Sequence, residues 1–205
     1  MGIKEFEEKH RDIILNVLGV FFLGWGIIAV GNSFFVYDMN QVLWHCYLGL
    51  LLIGIGILSR SGFLIGAQLS ILTIPLLIWD IDFLYYLFLG ESLWGITDYM
   101  FVDRRLVLSQ IISLQHLFTV PLALFCLSRI KSRRIDFWKL AILQVFLLFL
   151  AVLFFTPPEV NINCVFENCL HLVLNLPYRI TWFLIFFSLV LVTNYALSKI
   201  KFIRK

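Results

Sequence analysis

The stretch LALFCLSRIKSRRIDFWKLAILQVFLLFLAVLFF, residues 122–155, joins the end of one apolar run to the whole of the next. Such runs approach the roughly 20 residues that a helix needs to cross a hydrocarbon core of about 30 Å. The segment between them carries Arg129, Lys131, Arg133 and Arg134, which are costly to bury in lipid. The pattern predicts two transmembrane helices joined by a short turn that stays in water.

The whole chain has the composition of a membrane protein, with 61% hydrophobic residues, 14% charged residues and a mean hydropathy of +0.94. A soluble domain of 205 residues cannot keep that much apolar surface out of water. The apolar runs predict an all-α, polytopic bundle that forms a single membrane domain over residues 1–205. About six transmembrane helices fit, at roughly 13–31, 42–58, 62–78, 106–127, 140–155 and 178–197.

The distribution of charge predicts the orientation of the chain. With six spans both termini lie on one side, and that side receives 13 of the 16 Lys and Arg residues, so the positive-inside rule makes it the cytoplasm. No cleavage site of small residues follows the first apolar run, and we expect a retained span rather than a signal peptide. The opposite face keeps eight of the 13 acids, which are Asp38, Asp80, Asp82, Glu91, Asp98, Asp103, Glu159 and Glu167.

Two extracytoplasmic segments, 79–105 and 156–177, are longer than a minimal turn. The first is rich in aromatic residues and acids, which suits an interfacial helix or a hairpin at headgroup depth. It also suits an extension of the third helix, kinked at Pro75. The second segment is opened by a Pro-Pro pair and closed by Pro177, which predicts a structured loop.

Cys164 and Cys169 lie in the second of these segments, on the side of the membrane where thiols can be oxidised. Four residues separate them, so a small disulfide loop and a pair of reduced thiols are both consistent with the sequence. Together with His171 they have the spacing C-x4-C-x-H, which is not a usual ligand spacing for zinc. We therefore predict no metal site at these three residues, and the two cysteines are a candidate disulfide.

The fourth predicted span carries the polar face that most favours a functional site. Ser109, Ser113 and His116 are at positions i, i+4 and i+7, which places them on one side of a helix. His116 comes about 15 Å below the start of the span, near mid-membrane, where an ionisable side chain is costly unless it is paired or wet. It is either a catalytic residue or a neutral histidine that bonds a serine or a backbone carbonyl and ties helices together.

Other candidate side chains gather near the extracytoplasmic boundary. His45, Asp80 and Asp82 are the further catalytic candidates, as a base or as acids that orient it or hold a metal. The two acids form a paired site only in an extended segment, because residues two apart in a helix point about 160° away from each other. They could also face water beside an aromatic belt. Candidate substrate contacts are Ser109, Ser113, Asn161, Asn163 and, for a phosphate headgroup, Arg104, Arg105 and Arg179.

Small residues indicate close helix packing and permit a homodimer. The basic cytoplasmic clusters predict contact with membrane lipids rather than with nucleic acid, and the acidic outer face suits a protein partner. The glycine pairs are Gly62 with Gly66, Gly19 with Gly24, and Gly49 with Gly54.

The chain contains no GxSxG, P-loop or HExxH motif, so it has no signature of the enzyme classes that these motifs mark. Three function classes remain. The first is an enzyme acting on a lipid or isoprenoid-like substrate near the extracytoplasmic face. The second is a structural or partner-binding subunit, and the third is a small ion-coupled carrier that uses Asp80 and His116 as protonation sites. No particular cofactor is indicated. The absence of an N-x-[ST] sequon and the heavy use of Phe and Ile favour a prokaryotic plasma membrane.

Overall fold

Seven α-helices make up most of the structure, a computed structural model that describes residues 3–36, 39–101, 108–170 and 176–204. Short 3-10 turns join several of them, and the described residues contain no β-strand, only an isolated bridge between Ser132 and Arg204. The helices are α1 Ile3–Val36, α2 His45–Leu58, α3 Gly62–Leu89, α4 Leu108–Ser113, α5 Gln115–Ile130, α6 Trp138–Phe155 and α7 Tyr178–Lys199.

Five helical segments in the described part of the chain are long and apolar enough to cross a membrane. One of them consists of α4 and α5, which are separated by a break at Leu114. A further apolar helix, α2, has 14 residues, about 21 Å at 1.5 Å per residue, which is short for a full crossing. The predicted all-helical class is confirmed. The five segments are Glu7–Phe35, Gly62–Leu89, Leu108–Ile130, Trp138–Phe155 and Tyr178–Lys199.

The third helix runs well past its predicted end at residue 78. α3 continues to Leu89 and stops at Gly90, whose φ of 79° gives the left-handed conformation that ends many helices. Its 28 residues correspond to about 42 Å. Residues 79–89 are therefore an extension of the third helix, which is one of the alternatives that the sequence left open. Residues 65–72 of α3 are all buried, so this helix lies at the centre of the bundle.

The bundle has two chemically different ends, which we name by their contents. The basic end holds the turn 59–61, the segment 131–137 and residues 200–204. The loop end holds the loops 90–101 and 156–170. α1 begins at the basic end, because Arg60 donates to the carbonyl of Asp12.

Glycines allow α1 and α2 to pack backbone to backbone. A Cβ built on Gly54 would lie 2.8 Å from the backbone nitrogen of Leu23, and one on Gly26 would lie 3.1 Å from that of Leu51. Small residues permit this close approach between membrane helices. Gly24, which the predicted glycine pairing favoured, meets no atom within 4 Å, so position 26 provides the contact instead.

The segment 131–137 packs against the start of α3. A side chain on Gly62 would collide with the carbonyl of Lys131, and one on Gly66 would lie 2.6 Å from the ring of Phe137, which is fully buried. The small-xxx-small pair thus allows a close contact, but with the segment 131–137 between two helices rather than with a neighbouring helix.

Asp136 pairs with one cation of the same segment and with another in the first turn of α6. Arg134 donates to both of its carboxylate oxygens at 3.0 Å, and the Lys139 Nζ lies 3.1 Å from Oδ2. Hydrogen bonds from Arg134 and then from Lys139 hold the pKa of Asp136 well below its usual range.

A reciprocal amide pair joins α3 to α6 in the middle of the bundle. Gln68 Nε2 donates to Gln144 Oε1 at 2.8 Å, and Gln144 Nε2 donates back to Gln68 Oε1 at 3.1 Å. Gln68 is fully buried. Interhelical hydrogen bonds in membranes contribute about 0.5–2 kcal/mol, so the pair helps to fix the register of the two helices.

Replacing Gln68 by Met, which has a similar volume, should lower the free energy of unfolding by about 1–3 kcal/mol, because Gln144 then keeps an unpaired amide. Unfolding in mixed micelles with increasing SDS, followed by circular dichroism, measures the change. The double variant Q68M/Q144M should recover part of the loss, since no amide is left unpaired. Equal stability of Q68M and the parent would show that the pair contributes nothing.

Candidate functional site

Asp82 is buried at the loop end and organises the loop that follows α3. Its Oδ1 accepts from the backbone N–H of Leu93 at 2.9 Å and of Trp94 at 2.7 Å. Its Oδ2 accepts from the backbone N–H and the hydroxyl of Thr97, both at 2.8 Å. A carboxylate has about four lone-pair sites, so Asp82 has none to offer a substrate or a catalytic base.

Asp80 lies on a different side of α3 from Asp82. The segment is helical here, so the two carboxylates point about 160° apart and do not form the paired site that an extended chain would give. Asp80 is half-buried, and its Oδ1 is a buried atom without a hydrogen-bond partner among the described residues. The two acids therefore have separate roles.

His116 follows a break at Leu114 in the apolar segment Leu108–Ile130. Two carbonyls beside this break accept hydrogen bonds from side chains. Trp25 Nε1 donates to the carbonyl of Ile112 at 3.3 Å, and His116 Nδ1 bonds the carbonyl of Ser113 at 2.6 Å. The histidine thus bonds a backbone carbonyl, as in the structural alternative that the sequence left open, but the bond stays within the segment Leu108–Ile130 and does not join two spans.

The same bond sets the tautomer of His116. A carbonyl only accepts, so Nδ1 carries the proton and donates to Ser113. In the neutral imidazole Nε2 is then the basic nitrogen. The ring also stacks on the indole of Trp79, with 4.4 Å between the ring centroids, and His116 is buried. It is held in one orientation, which is also what a general base requires.

His45 begins α2 and is held through its backbone. Its N–H donates to Asn163 Oδ1 at 3.0 Å, while Asn163 Nδ2 donates to the carbonyl of Leu43 at 2.8 Å. Asn163 therefore caps α2 from the loop 156–170, and its own carbonyl accepts from Trp182 Nε1 at 2.9 Å. The His45 ring packs against Phe186, and in the described structure neither buried ring nitrogen has a hydrogen-bond partner.

The loop 156–170 is stabilised by its own polar side chains. Cys164 and Cys169 form a disulfide. Asn161 Oδ1 accepts from the N–H groups of Phe166 and Glu167, both at 2.9 Å. Asn161 and Asn163 thus bond the backbone rather than a ligand, and they stabilise the described part of the loop, residues 156–170.

The remaining predicted substrate contacts are spread over the molecule. Ser113 Oγ donates to the carbonyl of Ser109 at 2.9 Å, within its own helix. Arg179 is exposed, with its guanidinium 5.9 Å from the ring centroid of Phe166. The predicted residues outside the described part of the chain are Arg104, Arg105 and His171.

Buried polar atoms without hydrogen-bond partners are concentrated in four residues. The described residues contain eight such side-chain atoms, and seven of them belong to Asn32, His45, Asp80 and Gln115. Buried polar groups in proteins are nearly always bonded, and each exception costs about 1–3 kcal/mol. In lipid no bulk water relieves this cost. Polar residues left in this state within a membrane bundle are therefore candidates for a functional site.

The packing of α1 on α2 places two of these residues at one level. Leu23 faces Gly54, and Gly26 faces Leu51. The two helices are therefore antiparallel, and moving three residues forward along α1 corresponds to moving three residues backward along α2. Continued by six residues, this pairing brings Asn32 level with the first residue of α2, His45.

Two further contacts bring Cys46, Gln115 and His116 near this level, and Asp80 is added as the chain neighbour of Trp79. The thiol of Cys46 lies against the amide of Gln115, although neither polar atom of that amide has a hydrogen bond of ordinary length within the described chain. The next residue, His116, stacks on Trp79, which precedes Asp80. We name the polar layer after its six members, Asn32, His45, Cys46, Asp80, Gln115 and His116.

Sequence reasoning missed three members of the polar layer, Asn32, Cys46 and Gln115. Each is an uncharged polar residue within an otherwise apolar helix. The signal that could have found Asn32 and Gln115 is the rarity of side-chain amides within apolar helices, where their donors and acceptors must find partners.

The described residues contain no group of three or more His, Cys, Asp or Glu side chains that could hold a metal ion. Comparison of the chain with family models, curated proteins and solved structures gives no match. The case for a function therefore rests on the geometry of the polar layer.

Proposed function

We propose that the chain is an integral protein of a prokaryotic plasma membrane that binds a lipid or isoprenoid-like ligand by its polar headgroup at the polar layer. The seven unpartnered atoms carry this proposal. The amides of Asn32 and Gln115 offer donors and acceptors, and the ring of His45 offers one of each, so a headgroup with hydroxyl or carbonyl groups would satisfy them. An apolar tail suits the surrounding membrane helices.

The proposal includes six crossings, with both termini in the cytoplasm. α2 would make the sixth, extended by the preceding 3-10 turn Met39–Leu43. The basic end, with its excess of Lys and Arg, then faces the cytoplasm, and the polar layer lies nearer the extracytoplasmic leaflet.

We further propose that the protein is an enzyme in which His116 acts as the general base. Its Nδ1–H bond to the carbonyl of Ser113 leaves Nε2 to take a proton from a hydroxyl group or from water. Asp82 is committed to its loop, so the group that orients this base is a backbone carbonyl rather than a carboxylate.

Replacing Gln115 by Met tests the proposed site, because a binding role and a structural role predict changes of opposite sign in the free energy of unfolding. The amide has no hydrogen-bond partner of ordinary length in the described structure, so Q115M should raise the free energy of unfolding of the ligand-free protein by about 1–2 kcal/mol. The matched control is Q68M, in which the lost amide was paired and stability should fall. SDS unfolding of both variants gives the two values.

Native mass spectrometry of protein extracted in mild detergent provides the binding readout. The parent and Q68M should retain a lipid-sized adduct that Q115M loses. A lower stability of Q115M would mean that the amide has a structural partner, and equal adducts in Q115M and the parent would mean that the polar layer is not the binding site. Either result would remove the main support for the proposal.

A partner-binding subunit is the second candidate, favoured by the rigidity of the loop end. Asp82 anchors the loop 90–101, a disulfide and Asn161 stabilise the loop 156–170, and exposed acids such as Glu91 and Asp98 lie nearby. Fixed, charged loops suit a docking surface. A scaffold does not explain the unpartnered atoms of the polar layer, which is why this candidate comes second.

A further inference from the structure

Two adjoining cavities open at the basic end, between the first turns of α1 and the last turns of α5. Their volumes are about 740 Å³ and about 440 Å³, and Arg11, Leu15 and Arg129 line both, so they form one groove. The polar layer contributes none of the residues that line it. The groove is therefore separate from the proposed headgroup site.

The smaller cavity has a marked excess of positive charge. Four cations line it, Arg11, Arg60, Arg129 and Lys131, against one carboxylate, Asp12. That carboxylate is already 3.3 Å from Arg11 and 3.8 Å from Arg60. Within the described residues, neither Arg129 nor Lys131 forms an ion pair. Two cations thus remain free to contact an anion.

The backbone at two of these cations is unusual. Arg60 has a φ of 55°, and Lys131 has a φ of 60° with a ψ of 161°, a region that is normally restricted to glycine. Backbone strain of this kind persists only where the surroundings hold it in place, and it clusters at functional sites. The carbonyl of Lys131 packs against Gly62, which provides that restraint.

We propose that the groove binds an anionic phospholipid through its phosphate, with Arg129 and Lys131 as the main contacts. A guanidinium group can donate two parallel hydrogen bonds to phosphate oxygens, and an ammonium group adds a compact charge. In the larger cavity, which Glu7 and Glu8 also line, Ile14, Leu15 and Phe125 form an apolar wall, and Ile14 is 47% exposed. A free phosphate ion would leave this wall without a partner, whereas an acyl chain would cover it.

The test uses the full-length protein in micelles of a neutral detergent, titrated with phosphatidylglycerol or with phosphatidylcholine. Phosphatidylglycerol should raise the Tm of the parent by several degrees, and phosphatidylcholine should not. In the variant R129Q/K131Q the half-saturating concentration of phosphatidylglycerol should rise at least tenfold. The matched control R133Q/K201Q removes the same charge from exposed positions at the same end and should behave like the parent.

Three results would overturn the proposal. Equal effects of the two lipids on the parent would exclude recognition of the anionic group. An equal loss of binding in R129Q/K131Q and R133Q/K201Q would show general charge attraction rather than a site. Stabilisation by inorganic phosphate at matched ionic strength, as large as that by phosphatidylglycerol, would identify a free anion as the ligand. If the double variant does not fold, K131Q alone replaces it, because the Lys131 ammonium makes no ion pair in the described structure.

Discussion

Replacing Asp82 by Ala should lower the free energy of unfolding by about 3–5 kcal/mol and release the loop 90–101 from α3. The carboxylate accepts from three backbone N–H groups and one hydroxyl, and hydrogen bonds to a charged acceptor are worth about 1.5–3 kcal/mol each. The loss should be smaller than their sum, because water at the membrane surface rehydrates part of the released loop.

SDS unfolding and limited digestion by chymotrypsin measure the two effects. Trp94 lies inside the loop, so chymotrypsin should cleave the chain after Trp94 much faster in D82A than in the parent. Glu91→Gln is the matched control, because it neutralises an exposed acid of the same loop and should change neither stability nor cleavage. If D82A and E91Q behave alike, Asp82 does not anchor the loop and becomes available again as a site residue.

The helices were largely predictable from the sequence, because apolar runs and basic clusters report directly on the cost of placing side chains in lipid. The end of α3 was less predictable. Residues 79–89 contain both aromatic and acidic side chains, which suit an interfacial segment as well as a helix. The hydrogen bonds that anchor the loop 90–101 on Asp82 favour the helix. They join residues 11 to 15 positions apart, so the periodicity of the sequence does not reveal them.

The candidate site was predictable only in part. Depth in the membrane identified His116, because ionisable side chains are rare there. Gln68 pairs with Gln144, 76 positions away, whereas Gln115 has no partner in the described structure. Both are features of the tertiary structure. The same residue type thus has opposite roles at two positions, and no local pattern distinguishes them.

Asn163 gives the second large effect: Asn163→Ala should lower the free energy of unfolding by about 3–4 kcal/mol. Two buried hydrogen bonds are lost, to the N–H of His45 and to the carbonyl of Leu43, and α2 loses its cap. In addition Asn163 has a φ of 53°, a left-handed conformation that asparagine tolerates better than alanine.

Asn163→Gly separates the two contributions, because glycine adopts the left-handed conformation freely but lacks the amide. N163G should therefore recover about 1 kcal/mol relative to N163A, and the remaining loss measures the two side-chain bonds. SDS unfolding under non-reducing conditions keeps the disulfide of the loop intact in every variant. Glu159→Ala is the control in the same loop, because the Glu159 side chain is exposed and its removal should change stability little. If N163A is no less stable than E159A, the loop does not hold the start of α2, and the position of His45 in the polar layer must depend on its helix contacts alone.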